Sequence, residues 1–390
     1  MKVDTTVISD SKELCQNEDE IDAFLKEYSP SPFVLFAFIA KLMDLRANVD
    51  QTPAVIVVKA DDHIIGVAPL VLRRVSGIRH AEFLCEYACS PDFVLDPKHE
   101  SLALETIIDV VIRRLGLGYL LLDFEADSPS LPALKHVCES EGIPFFEQSN
   151  EHLDHGVIPV NSSWEDYRKS CGSRLSRELR NIENKLDREG RWEMTLVADY
   201  EGCSVEALYD KVMAIEKQSW KETYRQLAGE SDDVVEWSLM SSSSTKDNIR
   251  VLRRKVWFLE LEGQLVAYSL VLQYKGVAYI MKTAFVEAYS RLGVGRYVIY
   301  ATIRDLFENK EVEKIDFMTY YPIVRSWRVN CVKRVRIRLG NRAILYLAHA
   351  RALLRRMINS SEENDGRAEH STTARSQLTQ AKKRRVSSPS

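Results

Sequence analysis

The 390-residue sequence contains no CxxC pair, and its seven cysteines are scattered and odd in number. That pattern excludes a disulfide scaffold and indicates free thiols in a reducing compartment. Long hydrophobic runs are missing too. Stretches such as residues 32–40 are too short to span a bilayer. The first twenty residues are polar and acidic, without the basic-then-apolar layout of a secretory leader. No charge of one sign dominates: the net charge is −4, so nothing global points to DNA. A soluble cytoplasmic protein is expected. His152 and His155 form an HxxH pair with neither a cysteine nor a third ligand nearby, which reads as a surface loop, and no metal is expected.

Apolar residues make up 45% of the chain, enough for two cores, and the length suits two domains. The expected division is a polar leader (1–18), a first domain (19–160), a second domain (161–340), a helix (341–358) and a disordered tail (359–390). The tail has no aromatic residue and is rich in Ser, Glu, Arg and Lys. In the first domain a helical pattern over 19–46 is interrupted by Pro30 and Pro32. Two β-rich runs (54–59 and 63–73) flank Asp61-Asp62, a hairpin signature. A strand near 81–84, a helix stopped by Gly116, a strand over 119–124, a helix over 131–140 and a strand near 144–147 follow.

The second domain opens with a capping box, Ser162 with Glu165, and a long helix ending at Gly190. Trp164, Tyr167, Cys171, Leu175, Leu179, Ile182 and Leu186 recur along it at spacings of three and four, while Arg174, Arg177 and Arg180 form a basic ridge. A strand (192–197) and a helix (205–220) lead into a polar segment whose serine run, 241–244, reads as a loop or lid. Residues 54–72 resemble residues 256–272, strand, turn and strand in each, which argues for duplication.

Residues 255–327 carry the most information. Two strands flank Glu262-Gly263, a third spans 277–285, and Ser290-Arg291-Leu292-Gly293-Val294-Gly295 opens an amphipathic helix before a strand at 314–318. A glycine-bearing turn feeding a helix leaves backbone N–H groups at the positive end of the dipole, which suits a pyrophosphate. A transferase using acyl-CoA follows as the leading class. Val294 and Gly295 would offer N–H groups, with Arg291 and Arg296 adding charge beside Gly293.

With these pieces in order, the chain resembles the GNAT-fold acyltransferases of the CelD type, relatives of the FemAB transferases. The resemblance covers about 31–328. It rests on Gly66-Val67-Ala68-Pro69-Leu70, Ser90-Pro91-Asp92-Phe93, the Arg-rich helix, Glu216-Lys217-Gln218-Ser219-Trp220-Lys221, the Glu262-Gly263 hairpin, Tyr289 to Gly293, and Asp316-Phe317. It implies an α/β (α+β) fold of tandem GNAT-like domains, with mixed, mostly antiparallel sheets flanked by helices. It also implies acyl transfer from acyl-CoA to an amine or hydroxyl of a sugar or exopolysaccharide precursor. Two rivals stand beside it: aminoacyl transfer from tRNA, and a non-catalytic partner of a polysaccharide synthase. Ser290, where such a loop has Gln or Arg, and the absence of Lys from 321–327 favour the last.

Amine attack on a thioester needs a base and a group to protonate the leaving thiolate. Glu216 is the carboxylate for the acceptor amine, and Trp220, one turn on, shares its helix face. The rival reading pairs Glu216 with a lysine. Asp316, at a strand end, would position the acceptor; Tyr268 lies where an acceptor could approach, and Tyr320 or Tyr321 could protonate the leaving thiolate, with core packing as the alternative for each. Arg174 and Arg177 would bind an anionic substrate, or form a solvated face. Arg334, Arg336 and Arg338 alternate with apolar residues, so a half-buried strand with one basic face is expected. The helix after it has two readings, contact with an anionic membrane surface or docking on the core, the second preferred.

Overall fold

The computed structural model describes residues 2–47, 51–75, 77–85, 91–198, 205–222 and 252–347. The expected serine loop, the tail and most of the final helix lie outside the described residues. In chain order the first half contains β1 (Val3–Ile8), α1 (Ser11–Cys15), α2 (Glu18–Tyr28), α3 (Phe36–Arg46), β2 (Gln51–Ala60), β3 (His63–Val75) and β4 (Ile78–Phe83). It continues with β5 (Val94–Leu95), α4 (Glu100–Asp109), β6 (Tyr119–Glu125), α5 (Ser130–Ser140), β7 (Phe145–Ser149) and β8 (His155–Pro159). Two helices then lead into the second half, α6 (Trp164–Ser170) and α7 (Ser173–Glu189). They are followed by β9 (Trp192–Ala198), α8 (Val205–Glu216), β10 (Leu252–Leu261), β11 (Gln264–Tyr274) and β12 (Val277–Phe285). The last elements are α9 (Val294–Asn309), β13 (Lys314–Asp316), α10 (Pro322–Arg325), β14 (Asn330–Val332) and β15 (Arg334–Gly340).

These strands form two mixed, mostly antiparallel sheets flanked by helices. The first runs β1-β2-β3-β4-β6-β15-β7 with β5 on β3, and the second runs β14-β8-β13-β12-β11-β10-β9. The repeat seen in the sequence is a repeat of geometry. Both hairpins turn through two residues of positive φ, Asp61 and Asp62 in one and Glu262 and Gly263 in the other. Both also carry a bulge just before the turn, at Val58/Lys59 and at Leu259/Glu260. Each sheet has one parallel pair, β4 with β6 and β12 with β13, reached through a helix.

The halves exchange a strand. β8, from the first half, pairs with β13 and β14 in the second sheet; β15, from the second half, pairs with β6 and β7 in the first. Sheet membership therefore departs from the boundaries drawn at 160 and 340. The supposed leader departs as well, because β1 pairs with β2 along six residues. Where the two chains cross, Asp154 accepts from Lys333 Nζ at 2.7 Å and from the Arg334 N–H at 3.0 Å.

The long helix expected over 162–190 is two helices. Gly172, at φ +86, breaks it, and Ser163 rather than Ser162 is the cap, accepting from the Asp166 N–H at 3.1 Å. The apolar spacing runs through the break unchanged, which is why it reads as one helix. Leu175, Leu179, Ile182 and Leu186 bury one face of α7 against the cluster around α9 and the second sheet. Each such burial contributes roughly 1.5–3 kcal/mol. On the opposite face of that sheet α8 packs together with Phe33, Leu35 and Phe38 from the first half.

Asp154→Ala should lower unfolding stability by about 3 kcal/mol in urea titration. Most of that loss comes from the unsatisfied Arg334 N–H, because the Lys333 side chain is exposed and its charge is screened. Asp92 gives a pH dependence. Burial pushes its carboxyl up to about 6, against hydrogen bonds from Ser128, Ser130 and the Phe93 N–H. A raised carboxyl favours the fold below the ordinary carboxylate range, and that contribution is lost as pH rises through 6. Relative to the wild type, Asp92→Asn should therefore gain about 2–3 kcal/mol between pH 4 and pH 7.

Candidate functional site

Strands β12 and β13 pair only at Val277–Lys314, Ala278–Ile315 and Tyr279–Asp316, and then part. Beyond Tyr279, β12 continues to Phe285 with β11 as its partner. A notch opens where the parallel strands separate, and the turn into α9 follows the end of β12. Gly293 sits at φ +82, a left-handed conformation that favours glycine. A Cβ there would also lie 2.9 Å from Ile182 Cδ1 of α7, and one at Gly295 would lie 2.5 Å from Phe285 Cδ1. Both glycines thus have a packing reason. Among the described residues, no acceptor takes the N–H of Val294 or Gly295. These groups open a 16-residue helix with no acid in its first turn.

A groove of about 400 Å³ lies between α7 and this turn. Lys185 and Arg188 line one wall together with Glu178, Asn181 and Asn184 of the same helix, and Arg291 and Arg296 line the other. Lys185 Nζ donates to the Arg291 carbonyl at 2.8 Å, and Arg291 pairs with Glu189 at 3.2 Å. Arg296 is fixed more firmly. It pairs with Glu178 at 3.1 Å, donates to Ser326 Oγ at 2.9 Å and lies over the Trp327 ring at 5.5 Å.

On the α8 face of the same sheet, Glu216 is 1% exposed and accepts the hydroxyl of Tyr268, itself fully buried. Lys221 and Lys282 each place Nζ 3.5 Å from its Oε1. The structure thus brings together two expected residues, and adds the lysine partners of the rival reading. Lys282 escapes the period-two pattern for a physical reason. Met281 is bulged out of register, since Leu270 faces Lys282 while Val271 faces Ile280. The bulge turns Lys282 to the α8 side, opposite Ile280.

Trp220 does not share a face with Glu216. Helix α8 ends at Glu216, the chain turns through Ser219, and Trp220 stands 57% exposed. Asp316 is fully buried: its Oδ1 accepts the Met318 N–H at 2.8 Å, and its Oδ2 lies 3.3 Å from His155 Nε2. His155 is not in a surface loop. It begins the exchanged strand β8, is fully buried, and also lies 3.5 Å from Glu125. Tyr320 is half-buried beyond β13, with the Arg325 guanidinium 4.7 Å from its ring. Arg174 and Arg177 are exposed on α7 and do not line the groove; the cations that do on that helix are Lys185 and Arg188. Their spacing from Ile182 was available in the sequence.

Residues 173–322 match the family model described as an acetyltransferase (GNAT) domain. The segment is similar to GNAT acetyltransferase domains. The chain is accordingly a transferase, and such a domain draws its acyl group from acyl-CoA. No curated protein matches the chain. Its fold is similar to that of a conserved protein of unknown function from Bacteroides thetaiotaomicron, at 11% identity and TM-score 0.54, covering 83% of this chain and 97% of that one. FemX is similar at 12% identity and TM-score 0.53, covering 85% and 96%. Among the described residues, no helix is long and apolar enough to cross a membrane, and no group of three His, Cys, Asp or Glu side chains could hold a metal ion.

The groove suits a pyrophosphate in charge and in donor type: two lysine or arginine side chains on each wall, polar amides, and the glycine turn that leads into α9. The Glu216 cluster should behave as a buried charged network. Glu216→Ala would strand two lysines and a tyrosine hydroxyl, and should cost about 3–5 kcal/mol by chemical denaturation. A cost under about 1 kcal/mol would mean the lysines are solvated without it.

Proposed function

We propose that the second sheet transfers an acyl group from acyl-CoA to an amine or hydroxyl of a sugar or envelope precursor. The observation that carries this reading is the notch between β12 and β13 beside a helix N-terminus with unengaged N–H groups and four flanking cations. The donor's pyrophosphate would lie on Val294 and Gly295, with Lys185, Arg188, Arg291 and Arg296 around it. Its thioester arm would enter the notch along the free edge of β12. The acceptor nitrogen or oxygen bonds to the acyl carbon, the C–S bond breaks, and the acceptor's proton leaves.

Glu216 and Tyr268 are too deeply buried to meet an acceptor directly. In this reading they position Lys282 on the strand that borders the notch, and their effect on transfer passes through it. Tyr320, beyond the end of β13, would protonate the leaving thiolate. Holding donor and acceptor together supplies much of the rate without a strong base.

Titration calorimetry with acetyl-CoA and with a long-chain acyl-CoA tests the donor site. Micromolar binding is expected, weakened about tenfold or more in the Lys185→Glu/Arg188→Glu variant. Lack of binding by either thioester, or unchanged affinity in the variant, would overturn the assignment and turn the search to aminoacyl-tRNA donors.

A further inference from the structure

The first sheet holds a second charged cleft that the donor reading does not use. Its volume is about 370 Å³, and it opens where β4 and β6 part after their two paired residues. Arg73, Arg334 and Arg336 line it, with Glu82 and Asp123. The register explains the convergence. Arg334, Arg336 and Arg338 face Glu125, Asp123 and Leu121 across the β15–β6 ladder, so the basic face of the exchanged strand lies beside the acids of β6.

The charges do not balance. Arg336 makes a two-point contact with Asp123, Nε to Oδ1 at 2.9 Å and Nη2 to Oδ2 at 2.8 Å. Glu82 pairs with Arg73 at 3.4 Å and with His80 at 2.8 Å. Arg334 has no carboxylate partner for its side chain among the described residues. Its Nη2 donates to the Asp123 backbone carbonyl at 3.1 Å, whereas Nε and Nη1 are buried without any acceptor. The residue is only 2% exposed. An arginine cannot shed its proton to escape burial, so a guanidinium held this way costs several kcal/mol unless an anion meets it. Its open Nε–H and Nη1–H groups lie on different edges of the guanidinium, and each can donate a charge-assisted hydrogen bond to a carboxylate or phosphate oxygen.

We propose that this cleft binds an anionic ligand, a phosphate or carboxylate group, with Arg334 as its primary contact and Arg73 contributing charge. Arg336 is already committed to Asp123 and shapes the wall. The site shares no lining residue with the groove at α7 and α9, so it stands whether or not that groove takes acyl-CoA. It also makes ligand binding depend on the strand exchange, because Arg334 reaches the first sheet only as part of β15.

The test is calorimetric and thermal titration of the full chain with pyrophosphate and with citrate, at ionic strength matched with potassium chloride. At least one should bind the wild type with a Kd below about 1 mM, and raise its melting temperature. Arg334→Met should weaken that binding at least about tenfold, yet melt no lower than wild type without anion, since an uncompensated buried charge has been removed. The Lys185→Glu/Arg188→Glu variant should keep the anion response, which separates this cleft from the donor groove. Preference for pyrophosphate assigns a phosphate ligand, and preference for citrate a carboxylate. Should Arg334→Met not fold, Arg334→Lys keeps the charge, loses the planar array of donors, and should bind at least about tenfold more weakly. Failure of both anions to bind wild type would overturn the proposal, as would wild-type affinity in the Arg334 variants or loss of the response in the donor-groove variant.

Discussion

The structure depends on the crossing at Asp154. Two strands leave their own halves there, and each completes the other half's sheet between two partners. Neither sheet is whole without the exchange, so the two halves cannot be treated as beads on a string. The carboxylate of Asp154 meets the Lys333 ammonium and the Arg334 N–H at that point. Burial opposes its charge, but these hydrogen bonds outweigh burial and hold its carboxyl below the ordinary range. One acidic side chain thereby satisfies a backbone donor that the crossing would otherwise strand. Because β8 and β15 are interior strands, the residues they carry are drawn into the molecule, which is how His155 and Arg334 come to be buried.

The two halves share a topology but not a chemistry. In the second, a bulge at Met281 and the early end of β13 open the sheet, and tight glycine packing brings α9 against it. Gly295 lets the helix approach Phe285, and Gly293 lets the turn pass Ile182. The first N–H groups of α9 take no capping side chain, and the turn before them, at Gly293, lines the groove. Packing and ligand binding therefore ask for the same residues, and glycine alone cannot tell them apart. The basic residues of α7 across the groove are what favour the proposed donor reading.

Much of this was legible. The paired hairpins, the third strand, the glycine turn and the helix after it all follow from local signals, because turn residues and alternation act over a few positions. The basic face of β15 followed from its period of two. What failed were features with no local cause. Gly172 interrupts a helix without disturbing the spacing of Tyr167, Cys171 and Leu175, so periodicity runs straight through it. Lys282 faces α8 only because one residue before it is bulged. His155 looks like part of a polar loop until its strand is placed between β13 and β14, and nothing within five residues says which sheet a short strand will join. Trp220 was placed on a helix that stops four residues earlier, where the chain turns through Ser219.

The proposed donor site has no counterpart in the first half, for a reason of charge. In the first half the helix that follows the third strand, α4, begins after His99, whose ring lies 2.7 Å from the Asp96 carboxylate, and Glu100 occupies its first turn. That acid stands at the helix end where a phosphate would sit, and repels it. The segment before it carries Asp92, buried and hydrogen-bonded to the Phe93 N–H, in place of an open turn of glycines. In the second half the corresponding helix has no acid in its first turn and faces four cations. The first sheet instead concentrates its positive charge on the exchanged strand, at the opening between β4 and β6. The two halves carry similar openings beside a parallel strand pair; positive charge lies by a helix end in one and on a borrowed strand in the other, and in the proposed reading that difference selects different ligands.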